Sequence, residues 1–599
     1  MFKKFLKDHS FSEYSFSADI YPDVHNREYW KFFEGQNYVK NAEAALDYEW
    51  PIVKATDYME FKKSGDRGVM ERPYNQRREK LVLFALAELI ENKGRFLPQI
   101  VNGLCAICEE TTWSLSAHWV DEVPRNIHNI ADPYIDLMVG ETAEHVAMIA
   151  KLLRDPLLEY CPEILDRVEY ELEHRVKAPY LAHREYWWMG YGKRIPNNWN
   201  PWIISNVMTV FLLSEKNIER THAAFEKMFI ELQYYYDGLT DDGGCDEGPN
   251  YWGRAGASFF ECVYQMKQAT GGKLDLLGDE KCGKIGAYLK AVHVAKSYFV
   301  SVADAHYGSL IGFMPINFMY ANETNQKDLM DFCASVYAGR PASYNPYGLG
   351  TIRRIIYQRE GVTALENYKA DEFVHNKLEI LPDVELAGIR QGDLLIFAKG
   401  GHNDESHNHN DIGSFVFHER EIPVLADLGI GVYTKFTFSD QRYEMIDAVK
   451  GENHTIPAFD GIAQQYGKQY YADSFSANED EINISFASAY PKELGLVRLE
   501  RKLSFVENGM KCIDCFEREG KKNGKLCEVF ISVLPVEIVD NTAIINGRYR
   551  VSANVGSVRG EYKDFCDAGL EGAWKTKGFT RICIEAEDVC EIEIKLEII

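Results

Sequence analysis

The sequence predicts a multidomain α+β protein in which a helical half precedes an antiparallel β half. Its 599 residues exceed the roughly 250–300 residues that one hydrophobic core accommodates. Apolar residues recur at helical spacing up to about residue 375 and with a period of two after it. We therefore expect a helical domain over residues 1–374 and an antiparallel β-sandwich over residues 375–599. Ligand sites favour such domain interfaces.

The first half contains a series of amphipathic helical patterns. Residues 75–92, NQRREKLVLFALAELIEN, combine apolar residues at helical spacing with charges at both ends. Clusters of Gly, Pro and Asn separate this segment from the others. The remaining predicted helices are 101–119, 141–153, 162–178, 206–213, 221–236, 257–268 and 285–297. Such a run favours stacked helical hairpins or a closed helical toroid, and the lack of a strict repeat makes a regular solenoid less favoured.

The second half contains short alternating segments bounded by turn residues. They are typical of antiparallel strands with one face on a core. The predicted strands are 394–398, 413–417, 424–426, 482–486, 497–505, 529–533 and 592–596. Their number and spacing favour a sandwich of two sheets.

Composition and charge exclude several function classes. A hydrophobic fraction of 46% and a charged fraction of 26% are typical of a soluble globular protein. A formal net charge of −25 argues against a nucleic-acid partner, since phosphates are bound by Lys and Arg. No segment approaches the roughly 20 apolar residues of a membrane span. An anionic ligand would require positive charge concentrated inside its cleft.

The cysteines and the amino terminus predict a cytoplasmic protein. The 13 cysteines are an odd number and form no compact disulfide framework. Residues 1–8, MFKKFLKD, are basic but precede no apolar run, so they do not resemble a signal peptide. The pairs Cys105/Cys108 and Cys512/Cys515 lack the local composition of a zinc knuckle, which favours buried free thiols.

A histidine-rich segment carries the strongest indication of function. Residues 400–415 read GGHNDESHNHNDIGSF and lead into an apolar strand. In extended backbone His407 and His409 point to the same side, whereas in a helix they diverge. Two imidazoles on one side can share a metal ion, or divide into one ligand and one base.

Two later residues are candidate partners of these histidines. Asp427 follows the apolar strand at 424–426, where a buried carboxylate needs a partner. His454 lies in the polar turn Asn453-His454-Thr455. Together with His409 they form a two-histidine, one-carboxylate set suited to zinc.

Two loops of the helical half add further candidates. Residues 196–202, PNNWNPW, offer asparagine amides that can hold a carboxylate and tryptophan rings that can stack on a sugar, although helix-capping asparagines are the simpler interpretation. Residues 241–254, DDGGCDEGPNYWGR, predict a tight loop. Its Tyr251 can transfer protons if positive charge lowers the usual tyrosine pKa of about 10, and Arg254 is a candidate source of that charge. A packed aromatic loop is the alternative.

These motifs together resemble the heparinase II/III-like family of polysaccharide lyases, over most of the chain. The resemblance is strongest at His407-x-His409-x-Asp411-x-Gly413-Ser414-Phe415 and extends to several shorter motifs. These are Asn197-Asn198-Trp199, Asp246-Glu247-Gly248-Pro249-x-Tyr251, Asp427-x-Gly429, Arg442-Tyr443 and Asn453-His454. It implies an incomplete (α/α) toroid followed by antiparallel β-sheets.

The resemblance also implies a reaction, β-elimination at a uronic acid of an oligo- or polysaccharide. Asn198 would neutralise the substrate carboxylate, His407 or Tyr251 would remove the C5 proton, and Tyr251 would protonate the leaving 4-oxygen. The product would be a 4,5-unsaturated uronate. Fixed donors aimed at the carboxylate would supply the largest catalytic effect.

Further roles follow from the same resemblance. His409, Asp427 and His454 would hold a structural zinc ion, Asp411 would orient a histidine, and Tyr433 would contact substrate. Trp199 stands where several relatives carry a histidine, which leaves syn and anti elimination both open.

Two other functions remain open on the sequence. A glycoside hydrolase on a helical toroid would use paired carboxylates from Asp241, Asp242, Asp246 and Glu247. A non-catalytic carbohydrate-binding protein would bind an oligosaccharide tightly without turnover. An intracellular lyase would act, as an exolytic enzyme, on imported oligosaccharides. The sequence does not predict which uronate glycan is bound or the oligomeric state.

Overall fold

The computed structural model describes residues 1–119, 126–341, 345, 350–519 and 524–599. The chain forms two compact units that interleave along the sequence. The first comprises Met1–Leu239, Arg254–Asp279 and Ser343–Asn367, and the second comprises Thr240–Gly253, Glu280–Ala342 and Tyr368–Ile599. The predicted domains, 1–374 and 375–599, stay a prediction. Tyr251 thus belongs to the unit that contains the C-terminal sheets.

The first unit is helical. Its α-helices are Phe2–Asp8, Arg27–Lys31, Tyr38–Glu43, Ala55–Ser64, Gly68–Glu91, Leu97–Cys108, Ser116–Trp119, Leu137–Leu152, Arg154–Tyr160, Glu163–Leu172, Ala178–Ala182, Trp199–Ser214, Ile218–Gly238, Gly256–Ala269 and Ile352–Asn367. Helix Trp199–Ser214 packs against Leu137–Leu152, Ile218–Gly238 and Gly256–Ala269 and is buried nearly all round. Its apolar composition on every face explains that position.

Two predicted helices end earlier than expected. The pattern at 101–119 is interrupted because the helix ends at Cys108 and a separate short helix begins at Ser116. Between them Trp113 is buried and its Nε1 donates to the Ile107 carbonyl, so its apolar side chain packs from a turn. The pattern at 285–297 is helical only to Ala291, and His293–Ala295 is instead a strand.

The second unit is built on antiparallel sheets. Its strands are His293–Ala295, Tyr298–Phe299, Gly308–Ser309, Leu378–Leu381, Leu386–Gln391, Leu394–Lys399, His402–Asn403, Phe415–Glu419, Ile422–Leu425, Pro457–Phe459, Gly467–Tyr471, Ser474–Ala477, Glu481–Ser485, Leu496–Val506, Gly509–Arg518, Lys525–Ser532, Val536–Val539, Thr542–Ile545, Tyr549–Ala553, Ser557–Asp564, Gly578–Glu587 and Glu591–Ile598. Its helices are Glu280–Ala291, Met314–Glu323, Lys327–Ala338, Arg442–Met445 and Ala568–Trp574.

Three larger sheets share one hydrophobic core in this unit. Over the residues that the structure describes, they have eight, five and four strands, and these strands pair antiparallel. Ile389 of the five-stranded sheet, Phe530 of the four-stranded sheet and Ile594 of the eight-stranded sheet all belong to that core. Alternate residues of each strand point inward, which is the period of two that the sequence shows. The predicted strands are all present, with ends shifted by at most four residues.

Two further features concern the chain as a whole. All 13 cysteines are free thiols. Over the residues that the structure describes, we find no helix with both the length and the apolar character needed to cross a bilayer.

Candidate functional site

A buried carboxylate, Asp304, organises the candidate site in the second unit. Its Oδ2 lies 2.6 Å from Nδ1 of His407 and accepts a 2.9 Å hydrogen bond from the Tyr433 hydroxyl. Its Oδ1 lies 3.0 Å from Nε2 of His409 and accepts a hydrogen bond from Nη2 of Arg442. We call these five residues the Asp304 cluster. All but Tyr433, which is partly buried, are almost fully buried.

The two histidines reach this carboxylate from an irregular segment. The expected extended backbone is wrong here, since His407 has a left-handed conformation with φ of 56°. Non-glycine residues adopt this conformation at a cost of about 1–3 kcal/mol, which the surrounding contacts must offset. The bend still directs both imidazoles to one carboxylate. One ring therefore binds each oxygen of Asp304.

Two glycines allow the backbone around Asp304 to pass between the loop before Tyr251 and the loop after Asp427, which we call the two motif loops. Gly248 has φ of +92°, and a Cβ there would lie 2.4 Å from the Val302 carbonyl oxygen. Gly429 has φ of +67°, and a Cβ there would lie 2.1 Å from the Ala305 carbonyl oxygen. Only glycine combines this backbone conformation with so close an approach. The glycines of the Tyr251 and Asp427 motifs thus position the segment that carries Asp304.

Tyr251 joins the cluster through a second tyrosine. Its hydroxyl is hydrogen-bonded to the Tyr433 hydroxyl, which in turn donates to Asp304. The Tyr251 ring packs on the His407 ring with centroids 4.2 Å apart. The structure therefore brings together the two predicted proton-transfer residues. The hydroxyl of Tyr433, for which the resemblance implies substrate contact, is engaged by Tyr251 and Asp304.

The protonation of these groups follows from burial and from neighbouring acids. Burial raises the pKa of Tyr251, and the negative charges of Asp304 and Glu247 add to this. Arg442 acts in the opposite direction without reversing the shift. Burial alone would lower the pKa of His407, but its hydrogen bonds to Asp304 and Glu247 raise that pKa to about 9. In this arrangement both groups carry a proton at neutral pH.

His407 is held by a carboxylate on each ring nitrogen. Its Nε2 lies 3.1 Å from Oε2 of Glu247, opposite the contact of Nδ1 with Asp304. Burial by itself would raise the pKa of Asp304, yet the hydrogen bonds from His407 and His409 hold it well below its ordinary value. The cluster is thus a buried imidazolium and guanidinium around an ionised carboxylate.

His409, Asp427 and His454 lie together as the sequence predicts. Each is buried and offers a ligand atom within 4.8 Å of the others, and no other set of this kind occurs among the described residues. In the described part of the chain, Nδ1 of His409 and Nε2 of His454 are buried without a hydrogen-bond partner. Buried polar atoms are normally satisfied, so these two nitrogens fit metal ligation. Asp304, bonded to the far nitrogen of His409, would orient that ligand.

The other predicted site residues lie in the first unit. Asn198 is 2% exposed and precedes helix Trp199–Ser214, but its side chain makes no capping bond. Trp199 is half-buried, with its ring 4.9 Å from His118 and 5.1 Å from Trp187.

The remaining candidate of that unit, Arg254, is engaged with acidic and aromatic neighbours. It pairs with Glu141 at 2.7 Å and covers the Trp202 ring at 4.0 Å. The positive charge that acts on the Tyr251 pKa comes from Arg442, and that pKa is raised rather than lowered. The expected activation of Tyr251 by Arg254 is therefore not what these contacts show.

The other acids of the motifs have separate partners. Asp411 pairs with Lys399 at 2.7 Å, so the carboxylate that bonds the two histidines is Asp304. Asp242 accepts hydrogen bonds from three backbone amides and fastens its own loop. The Asp246 carboxylate accepts a hydrogen bond from the backbone N–H of Ser406.

Asp304 and Glu247 both contact His407 in the candidate site, and the sequence placed neither of them there. Asp304 lies in an ordinary segment, VADA, within a half that reads as helical. Its neighbour Ala303 has φ of 54°, a strained backbone conformation that no sequence pattern predicts. Glu247 lies inside a recognised motif, where it was considered only as a hydrolase acid. Only the folded structure places either beside His407.

Comparison with known proteins places this fold among polysaccharide lyases. No family model matches the chain, and no curated protein matches it. A solved heparinase III is similar over 98% of this chain and 93% of its own, at 12% identity and a TM-score of 0.61. The heparan sulfate lyase HepC of Pedobacter heparinus is similar over 100% and 87%, at 12% identity and a TM-score of 0.58.

A third structure extends the likeness. A mutant of the chondroitin AC lyase of Streptomyces coelicolor A3 is similar over 94% of this chain and 82% of its own, at 9% identity and a TM-score of 0.53. The fold is thus that of the heparinase-like polysaccharide lyases. This confirms the predicted class, an incomplete (α/α) toroid followed by an antiparallel β-sandwich.

Proposed function

We propose that the protein is a lyase that cleaves uronic-acid-containing oligo- or polysaccharides by β-elimination. The observation that carries the proposal is the Tyr251 hydroxyl, packed on His407 and hydrogen-bonded through Tyr433 to Asp304. This arrangement fixes a phenol beside a buried cation, which are the groups that a proton transfer next to a carboxylate requires. The lyase fold is consistent with it.

The proposed reaction moves one proton from C5 and one proton to O4. The C5–H electrons form the C4–C5 double bond while the C4–O4 bond breaks. Tyr251 donates its phenolic proton to the leaving O4, and its raised pKa keeps that proton available at neutral pH. If His407 is the base, it first releases its proton to solvent and then takes the C5 proton. If Tyr251 serves both steps, it first releases its phenolic proton to solvent, takes the C5 proton and passes that proton to O4. The initial release is needed because both groups are protonated in this structure.

Fixed hydrogen-bond donors stabilise the carbanion-like transition state in this proposal. Negative charge builds on the uronate carboxylate as the C5 proton leaves, and fixed donors there are worth about 3–4 kcal/mol each. Asn198 remains the proposed neutralising residue. We expect Trp199 and Arg254 to contact the sugar chain, as the aromatic face and the cation that an anionic glycan needs.

A zinc ion held by His409, Asp427 and His454 is the proposed cofactor. Two imidazoles and a carboxylate match the ligands that zinc prefers. When bound, the ion would fix the histidine segment in place. Removal of the metal by a chelator should lower the melting temperature, and readdition of zinc should restore it.

The decisive experiment follows the conjugated product. The protein is incubated with uronate oligosaccharides of the heparan, chondroitin, hyaluronan and alginate types, and ultraviolet absorbance is recorded. Absorbance should rise with at least one of them. Tyr251→Phe and His407→Ala should each lose at least 100-fold in kcat/KM, whereas Tyr562→Phe, on an exposed strand, should not. Full activity in either site variant would refute the assignment.

Other outcomes identify the competing functions. Reducing sugar released without absorbance would indicate a hydrolase. Tight binding without turnover, unchanged in Tyr251→Phe, would indicate a carbohydrate-binding protein. The base is assigned by comparing the activity on substrates that differ in configuration at C5. A single tyrosine can both remove the C5 proton and protonate O4 only when the C5 proton and the leaving group lie on the same face of the sugar ring.

We also propose that the enzyme works in the cytoplasm, exolytically on short oligosaccharides. The 13 free thiols support a reducing compartment. An exolytic enzyme should release one product size from the first turnovers. Early products of mixed, intermediate length would contradict this mode.

A further inference from the structure

A phenylalanine next to the Asp304 cluster is unusually exposed. The side chain of Phe438 is 66% exposed, although an aromatic ring of this size is normally buried. Its ring is perpendicular to the ring of His407, with centroids 5.4 Å apart, and perpendicular to the ring of Tyr433, with centroids 5.2 Å apart. The edge contacts hold one side of Phe438 against the cluster. The rest of the ring faces solvent.

The backbone that carries Phe438 is firmly anchored. Residues 434–439 form a turn in which Thr437, fully buried, exchanges hydrogen bonds with Thr434. Nη1 of Arg442 donates to the Thr437 carbonyl at 2.8 Å, and the same guanidinium bonds Asp304. The position of the exposed ring is therefore coupled to the cluster through one arginine. Such preorganisation lowers the entropy cost of binding a ligand.

An exposed aromatic ring in a fixed turn is suited to one kind of contact. The faces of pyranose rings carry axial C–H groups, which pack on aromatic rings and exclude water. An apolar ring gives no charge discrimination, so the anionic group of a uronate would be bound elsewhere. Phe438 adjoins the rings proposed to transfer protons, which limits its occupant to a sugar close to the cleaved bond.

We propose that Phe438 is a substrate-binding residue that stacks on one pyranose ring of the substrate, adjacent to the bond that is cleaved. This inference rests on the proposed lyase function and deepens it, because it requires a glycan chain of at least two sugars. The stacking contact is made with substrate and transition state alike. Its loss therefore raises KM and leaves kcat nearly unchanged.

The test compares four variants by steady-state kinetics on a uronate oligosaccharide that the wild type cleaves. Phe438→Ala should raise KM about tenfold with less than a threefold change in kcat. Phe438→Trp should keep KM within about twofold of wild type, and Phe438→Leu, apolar but not aromatic, should resemble Phe438→Ala. The control Val432→Ala removes another exposed apolar side chain, 55% exposed on the same loop, and should leave KM unchanged.

A binding experiment separates failure of this inference from failure of the proposed function. Calorimetric titration of a uronate tetrasaccharide is performed in the Tyr251→Phe background, with and without Phe438→Ala. A loss of affinity of about tenfold supports stacking even if no lyase activity is found. Three results would each overturn the stacking proposal: equal affinities with and without Phe438→Ala, a lower kcat at constant KM, or a changed oligomeric state of Phe438→Ala. The changed oligomeric state would assign the ring to a protein interface.

Discussion

Asp304 shows how one buried carboxylate can fix several functional groups. It contacts two imidazoles, a guanidinium and a phenol, so its charge is balanced by groups that are themselves withdrawn from water. Removing one partner of a buried ion pair destabilises a protein far more than removing one partner of a pair on the surface. Substitutions at this residue should therefore affect both the proposed proton-transfer groups and the proposed metal ligands.

We expect Asp304→Asn to destabilise the protein by about 3–5 kcal/mol, because Arg442 loses a buried counter-charge. Zinc affinity should fall about 10–100-fold as His409 loses its orienting partner. Urea unfolding and zinc content after dialysis measure the two effects. Asp393→Asn removes an exposed partner of Arg420 and should leave the unfolding free energy nearly unchanged. Wild-type zinc retention in Asp304→Asn would contradict the orienting role.

Tyr433→Phe tests whether this tyrosine positions Tyr251 or binds substrate. Without its hydroxyl, Tyr251 loses the hydrogen bond that links it to Asp304. We expect kcat to fall about tenfold with KM nearly unchanged, since a general acid depends on its alignment. Steady-state absorbance kinetics distinguish the roles. A raised KM at constant kcat would instead assign Tyr433 to substrate binding.

Among single residues, the sequence could predict the grouping of those that lie in distinctive local motifs. Tyr251 and His407 come together, and so do His409, Asp427 and His454. Asp304 could not be predicted, because its role depends on contacts more than 100 residues away along the chain. Phe438 could not be predicted either, since the exposure of a ring is a property of the folded surface.

Among the structural elements, the two motif loops depend on the segment between them. The loop before Tyr251 and the loop after Asp427 each place a glycine against the backbone of residues 302–305. Neither glycine could be interpreted from its own loop, although both lie in motifs that the sequence singled out. The close approach, rather than the turn alone, explains why glycine is required there.

Gly429→Ala should therefore be strongly destabilising. A Cβ at this position would lie 2.1 Å from the Ala305 carbonyl oxygen, so the backbone near Asp304 must shift. We expect a loss of about 3 kcal/mol and at least tenfold lower activity. Gly461→Ala is the matched control, with φ of +79° but open space around the added methyl, and should cost about 1 kcal/mol. Thermal unfolding compares them, and equal losses would argue against the close approach.

Element boundaries show where periodicity succeeds and where it fails. The strands of the C-terminal sheets were predictable because alternate residues point into one core. The strand at His293–Ala295 was missed because its apolar residues continue the pattern of the preceding helix. A short apolar run fits the period of a helix and the period of a strand. The antiparallel pairing with Tyr298–Phe299 identifies this run as a strand.

For the whole molecule, stability should depend on pH through a partly buried acid of the helical unit, Glu360. Burial raises the pKa of Glu360, on helix Ile352–Asn367, to about 7, against an ordinary value near 4.5. The unfolded chain releases this proton at lower pH than the folded chain. Stability therefore falls as pH rises from about 4.5 to 7 and is insensitive to this group outside that window.

Glu360→Gln should remove this pH dependence. The unfolding free energy of the variant should match wild type near pH 4 and exceed it by about 2–3 kcal/mol above pH 7. Urea unfolding across this range measures the difference. Glu366→Gln, at an exposed position of the same helix, should show no such divergence. A constant difference between pH 4 and 8 would contradict the raised pKa.

The position of residues 302–305 between the two motif loops has a consequence for the rate of folding. The site joins Asp304 to His407 and Tyr433 across 103 and 129 residues of chain, so it cannot form during early local folding. Closing such long loops is slow compared with helix formation. After dilution from denaturant, helical circular dichroism should therefore recover before enzymatic activity. The interval between the two signals would measure how late in folding this carboxylate acquires its partners.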